Sequence, residues 1–109
     1  MDLIASWNVN SIAARLDHVI KWVQTHRPQA LMLQELKCVT EAFPSEPFEN
    51  MGYNLAIHGQ KTYNGVAILT KAPIEEKITT FPGQESDPQA RYLEIFSGGR
   101  RLVSVYVPN

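Results

Sequence analysis

The chain of 109 residues has 10 basic and 11 acidic side chains, a net charge of -1, and 44% hydrophobic with 19% charged residues. That balance excludes a disordered or low-complexity chain, fits one domain with one core, and leaves any polyanion partner to a local basic surface rather than bulk charge. One cysteine, Cys38, excludes an internal disulfide, no apolar run reaches the ~20 residues that cross a bilayer, and MDLIASWN lacks the pattern of a signal peptide, so a reducing cytoplasm and no membrane are expected.

Residues 2 to 7, DLIASW, form a short apolar run that breaks at Asn8 and Asn10, which reads as a strand entering a polar loop. Ile12, Leu16, Val19, Ile20 and Val23 then recur at helical spacing until Pro28 stops the pattern, predicting an amphipathic helix. Residues 30 to 34, ALMLQ, return to a continuous apolar run. Strand, helix, strand in this order predicts two parallel strands whose carboxyl ends share one edge of a sheet, the place where such sheets carry their sites. Residues 40 to 52 hold two prolines and predict a loop with a short helical turn ended by Gly52. Beyond them YNLAIHG, GVAILTK, IEEKITTF, RYLEIF and RLVSVYVP read as short strands, the last two joined by a hairpin at SGG. The chain ends on VYVPN directly after a strand, which reads as an interrupted domain.

The apolar run of 30 to 34 ends in Gln34, Glu35 and Lys37. Glu35 can be a strand terminus meeting water, weakly paired with Lys37. It can equally be a hard-cation ligand, since Mg²⁺ takes only one or two protein carboxylates and keeps several waters. Asn8 reads as a turn residue, or as an amide that orients a carboxylate or a phosphate oxygen. Tyr106 reads as a packed aromatic whose hydroxyl matters only if it faces the same edge. Cys38 reads as a bystander thiol, and His18 and His26 as solvent-facing or capping residues of the helix.

The strings WNVNSI (7–12), LQELK (33–37), HGQKTYNGVAILTK (58–71), PGQESDPQAR (82–91) and VYVPN (105–109) occur in the order and spacing of the exonuclease III type of apurinic/apyrimidinic (AP) endonucleases. The whole chain resembles the amino-terminal half of such an enzyme. The wider family includes deoxyribonuclease I, inositol polyphosphate phosphatases and sphingomyelinases. The resemblance implies an α/β fold, one half of a four-layered α/β-β/α sandwich, with residues 1–109 as the amino-terminal part of a single domain and the carboxyl-terminal half absent. This half is expected to supply one mixed sheet and its flanking helix. Its inner face, including GVAIL (65–69) and LVSVYV (102–107), is then expected to be bare, favouring self-association or partial unfolding unless the other half is supplied.

The resemblance also assigns roles. Glu35 matches the family's carboxylate on the catalytic metal, and Asn8 the asparagine that arranges metal and phosphate. Lys37 follows the family's lysine near the scissile phosphate, and Tyr106 the active-site tyrosine. Tyr63 and Asn64 fall where a loop touches the DNA backbone. Where many relatives carry an arginine after NVNSI this chain has Ala13, leaving Arg15 as the nearby cation. The implied reaction is Mg²⁺-dependent hydrolysis (Mn²⁺ as a substitute) of the phosphodiester 5′ to an abasic site in double-stranded DNA, with 3′–5′ exonuclease or 3′-phosphatase relatives. The family's general base lies beyond the YxPN string, so the chain alone is expected to be inactive. A phosphoesterase acting on a small phosphorylated substrate and a non-catalytic DNA-binding fragment are the alternative readings.

Overall fold

The computed structural model describes residues 2–80, 83 and 87–107. The chain begins with strand β1 (Ile4–Asn8), helix α1 (Ile12–His26) and strand β2 (Ala30–Gln34). The Ser11 hydroxyl accepts from the Ala14 N–H at 3.1 Å and caps the helix. The helix stops where Arg27 turns left-handed and donates its N–H to the Val23 carbonyl, just before Pro28. Ile12, Val19 and Val23 form its buried face. A 3₁₀ turn (Thr40–Ala42) and a five-residue helix α2 (Glu46–Asn50) occupy the segment read as loop and helical turn. Strands β3 (Asn54–His58), β4 (Val66–Thr70), β5 (Ile74–Ile78), β6 (Tyr92–Ser97) and β7 (Arg100–Val105) follow.

β1 and β2 pair in parallel with Asn8 opposite Gln34, so the expected shared edge is formed. β4 runs antiparallel to β2, and β3 to β4, giving a mixed sheet in the order β1-β2-β4-β3. The remaining strands form a separate antiparallel sheet, β5-β6-β7. One sheet was expected from this half and two are present. Alternation shows why. Leu31, Leu33, Ala67 and Leu69 point to the helix side and pack with Val19, Val23 and Phe48. Ala30, Val66 and Ile68 point the other way and pack with Leu93, Ile95 and Leu102 of the second sheet. A continuous apolar run is the mark of a strand covered on both faces, and the cover on the second face is supplied by this chain itself.

The bare inner face is therefore corrected. Val66, Ala67, Ile68 and Leu69 are fully buried, and Leu102 and Ser104 nearly so. What stays open is the outward alternation of the last strand: Val103, Val105 and, after it, Val107, the last 76% exposed. Leu3 and Ile4 at the β1 edge are also exposed. Arg101 on the same outward face bonds Glu94 at 2.7 Å and lies over the Phe96 ring.

Polar groups close the sheet-to-sheet core at both ends. At one end the Thr70 and Ser97 hydroxyls both donate to the Ala72 carbonyl, at 2.7 and 3.0 Å. At the other the Gln34 amide donates to the Ser104 hydroxyl at 3.0 Å. That second end lies beside Glu35.

Two stability outcomes follow from this packing. Ile68→Ala, at a fully buried position between the sheets, should lower unfolding free energy by about 2–5 kcal/mol, whereas Val103→Thr on the open face should change it by no more than about 0.5 kcal/mol; urea titration separates them. His58, at the end of β3, is half-buried, and burial first and the Lys77 charge second hold its imidazole below the ordinary 6.5. The unfolded chain thus binds the proton first as pH falls. Stability should be intact above pH 6.5, decline as pH drops through that value and level off below the lower folded value. His58→Gln should flatten this slope in urea titrations between neutral and mildly acidic pH.

Candidate functional site

At the end of β2 the backbone leaves the extended conformation, with Glu35 at φ 54° and Lys37 at φ 58°. Left-handed backbone at such residues costs on the order of 1–3 kcal/mol each and persists only where the surroundings over-determine it. Here they do. Ser11 donates its N–H to the Glu35 carbonyl at 2.9 Å and Ile12 to the Leu36 carbonyl at 3.1 Å. From the other side Leu36 donates to Gly65 at 3.1 Å and Lys37 to Asn64 at 2.9 Å. The segment carrying the charges is thus stitched on one side to the β1–α1 loop and on the other to the loop entering β4. Gly65 is needed there: its φ is 93°, and a Cβ would lie 2.9 Å from that of Leu36.

This stitching brings three of the expected residues together. The Asn8 amide donates to Glu35 Oε1 at 2.8 Å, and Asn8 Oδ1 accepts from the Asn10 N–H at 3.1 Å. Both ends of the amide are used, so its orientation is set and the carboxylate rotamer with it. Tyr106 faces the same carboxylate. Its phenol is raised above the ordinary tyrosine value by partial desolvation, then by the Glu35 charge and a hydrogen bond with Glu35. The Tyr106 N–H donates to the Arg91 carbonyl at 2.9 Å, extending the β6–β7 ladder one residue past the strand. Lys37 Nζ lies 3.9 Å from Glu35 Oε2 with both side chains partly in solvent, a long and weak pair.

Glu35, Lys37 and Tyr106 line an open depression of about 400 Å³ with Gln60, Tyr63, Asn64 and Gln89. Tyr63 is 67% exposed on its rim. Arg15 is on the first turn of α1 and is not among the lining residues. Pro108 and Asn109 of the VYVPN string, and Pro82 and residues 84–86 of PGQESDPQAR, lie outside the described residues. Cys38 is half-buried and its thiol is pushed up by that burial, as suits a bystander.

Gln60 and Gln89 were not singled out by sequence reasoning. Gln60 is the organiser of the rim: its Oε1 accepts from Asn64 Nδ2 at 3.1 Å and from the Ala90 N–H at 2.9 Å. Its own N–H donates to the Cys38 carbonyl at 2.9 Å. One side chain so joins the loop carrying Tyr63 and Asn64 to the segment entering β6. Its place within HGQK was visible, but its partners are 4 and 30 residues away and no spacing announces them.

As a cation site the arrangement is partial. One carboxylate with one amide suits a hard cation that retains its waters, and among the described residues no group of three His, Cys, Asp or Glu side chains gathers to enclose a metal. An anionic phosphate in this depression would meet the Lys37 ammonium, the Asn64 amide and the Tyr106 hydroxyl, a donor set suited to phosphate oxygens.

Solved structures repeat the architecture. The 3′ phosphatase NExo from Neisseria, bound to a product DNA hairpin, is 38% identical with a TM-score of 0.91, over 94% of this chain and 40% of that one. An AP endonuclease from Archaeoglobus fulgidus is 34% identical with a TM-score of 0.92, over 99% of this chain and 42% of that one. Exodeoxyribonuclease III from Haemophilus influenzae is 39% identical over 94% of this chain and 40% of its own length. The chain spans about 40% of the length of these relatives. Its two facing sheets with the outer helix match the corresponding part of the NExo and AP endonuclease structures. The match to the Endonuclease/Exonuclease/phosphatase family runs over residues 5–108 and takes in every residue of the depression, so the chain belongs to that family.

Proposed function

We propose that this chain is the amino-terminal part of a DNA repair nuclease that hydrolyses the phosphodiester 5′ to an abasic site with Mg²⁺, Mn²⁺ serving as a substitute, and that 3′–5′ exonuclease or 3′-phosphatase activity shares the same centre. The observation that carries the proposal is the Glu35 carboxylate, oriented by Asn8 and faced by Tyr106 at the floor of an open depression. Relatives named as exodeoxyribonuclease III, AP endonuclease and 3′ phosphatase support the substrate class.

Glu35 is the residue to hold the cation, with Asn8 fixing which carboxylate oxygen is committed to the amide and which stays open. A divalent cation bound there would neutralise charge developing on the phosphate and the leaving oxygen. Lys37, able to swing from its weak pair with Glu35, meets a phosphate oxygen. The Tyr106 hydroxyl, kept protonated well into alkaline pH, donates a hydrogen bond rather than repelling the phosphate. Tyr63 and Asn64 on the rim touch the backbone of the duplex, and an abasic sugar leaves the helix cheaply because it has no base to unstack. Arg15, outside the depression, serves a phosphate farther along the duplex. Among the described residues lining the depression, Glu35 is the only carboxylate and no imidazole is present, so with Glu35 given to the cation the base that activates water is left to the carboxyl-terminal half. The exposed Val103, Val105 and Val107 are where a carboxyl-terminal half, or a second copy in its absence, covers the outer face.

The 109-residue chain should bind Mg²⁺ weakly and cut an abasic duplex slowly or not at all. Supplied with a carboxyl-terminal half, it should nick that duplex in a Mg²⁺-dependent manner and leave inositol phosphates intact; the reverse preference would favour a small-molecule phosphoesterase, and binding without cleavage a non-catalytic DNA-binding fragment. Robust nicking by the chain alone, abolished by Glu35→Gln, would show the second half to be dispensable. In the completed enzyme Asn8→Ala, which frees the carboxylate to rotate, should lower metal affinity or activity about 10–100-fold, measured as the Mg²⁺ concentration giving half-maximal rate.

A further inference from the structure

Glu35 and Tyr106 belong to different sheets, and no backbone ladder sets the distance between them. Glu35 follows β2 and Tyr106 follows β7. Among the described residues, two hydrogen bonds join β2 to β7, and both pass through the Ser104 hydroxyl. It accepts from Gln34 Nε2 at 3.0 Å and donates to the Leu33 carbonyl at 2.9 Å. The Gln34 amide also donates to the Ser6 hydroxyl on β1 at 3.0 Å. Gln34 is one residue before Glu35 and Ser104 two before Tyr106. The link therefore lies within one or two strand rises, about 3.4 Å each, of both groups.

We infer that Gln34 is a positioning residue: through Ser104 its buried amide fixes β7 against β2, so that the Tyr106 hydroxyl meets the Glu35 carboxylate. The importance of that meeting rests on the function proposed above; the geometry does not. Gln34 is 8% exposed and Ser104 is 1% exposed. An amide taken out of water gains little net energy from its hydrogen bonds but loses much if they are not made. Such a group is therefore a poor adhesive and a good register pin. The apolar contacts of Leu93, Ile95 and Leu102 with Val66 and Ile68 hold the sheets together without direction. They tolerate a small slide of one sheet over the other, and a slide breaks the Gln34–Ser104–Leu33 relay at once. Ser104 leaves no alternative on its strand, since its neighbours Val103 and Val105 face outward.

The test uses the chain as it stands and reads the meeting itself by nuclear magnetic resonance, as the cross-relaxation between the Tyr106 ring and the Glu35 side chain. Gln34→Leu and Ser104→Ala should each lose that cross-peak while the Trp7–Trp22 edge contact on the helix side is kept. Ser6→Ala, which removes only the β1 leg, should retain both. If Gln34→Leu does not fold, Ser104→Ala decides alone, because it removes a single hydroxyl. Variants that are less stable yet keep the Tyr106–Glu35 peak would make Gln34 a packing residue and overturn the inference, as would loss of the peak in Ser6→Ala as well. Absence of the peak in the unaltered chain would instead overturn the site geometry and the proposed function with it.

Discussion

The structure turns on β2 being covered on both faces. Helix α1 closes one side and the β5-β6-β7 sheet the other, so in Ala30 to Gln34 every position is buried except the half-buried Met32, and none is exposed enough to carry a charge. The first position that can carry one is the residue after the strand. Glu35 occupies it, at the mouth between the two sheets, where a carboxylate gains solvent and partners without leaving rigid surroundings. A core strand ends in charge here because the end of the strand is the place where a charged group can be both exposed and held still. The rest of the site is arranged round that point: Asn8 reaches it from the paired end of β1, Tyr106 from the facing sheet, and Lys37 and Asn64 from the stitched loops.

Rigidity at this mouth comes from many small restraints rather than one strong one. Among the described residues lining the depression, the ion pair is Lys37 with Glu35, and at 3.9 Å it is loose. The backbone instead supplies four hydrogen bonds to the 35–37 segment from two different loops, and the side chains of Asn8, Gln34 and Gln60 each make two or more bonds. Neutral amides suit this task. They carry direction and add no charge that would compete with a cation or a phosphate for the carboxylate.

Much of this could be read from the residues and some could not. The helix from Ile12, the parallel strands on either side of it and the shared edge of Asn8 and Glu35 follow from local periodicity, because helix and strand repeats are properties of short windows. The second sheet was missed for the opposite reason. YLEIFS and RRLVSV alternate plainly, but alternation says only that one face is buried, not against what; that partner was assigned to another part of the protein when it is β4 and β2 of the same chain. The meeting of Tyr106 with Glu35 depends on that same long-range docking and was reached only through family resemblance. Gln60 and Gln34 stayed silent for a related reason, since an amide shows its importance by what it touches and these touch residues up to 70 positions away.

The left-handed backbone at Glu35 and Lys37 has one more consequence, for how such a protein can change. Relief of that strain is open to glycine and, less completely, to asparagine. At position 35 either substitution discards the carboxylate, and at 37 the ammonium. Stability and chemistry are thus opposed at these two positions, and a search that rewards thermal tolerance alone would drift toward a sturdier chain with an empty mouth. Selection that retains both must find its gains elsewhere, in the outward faces of the strands, and leave this short crooked segment as it is.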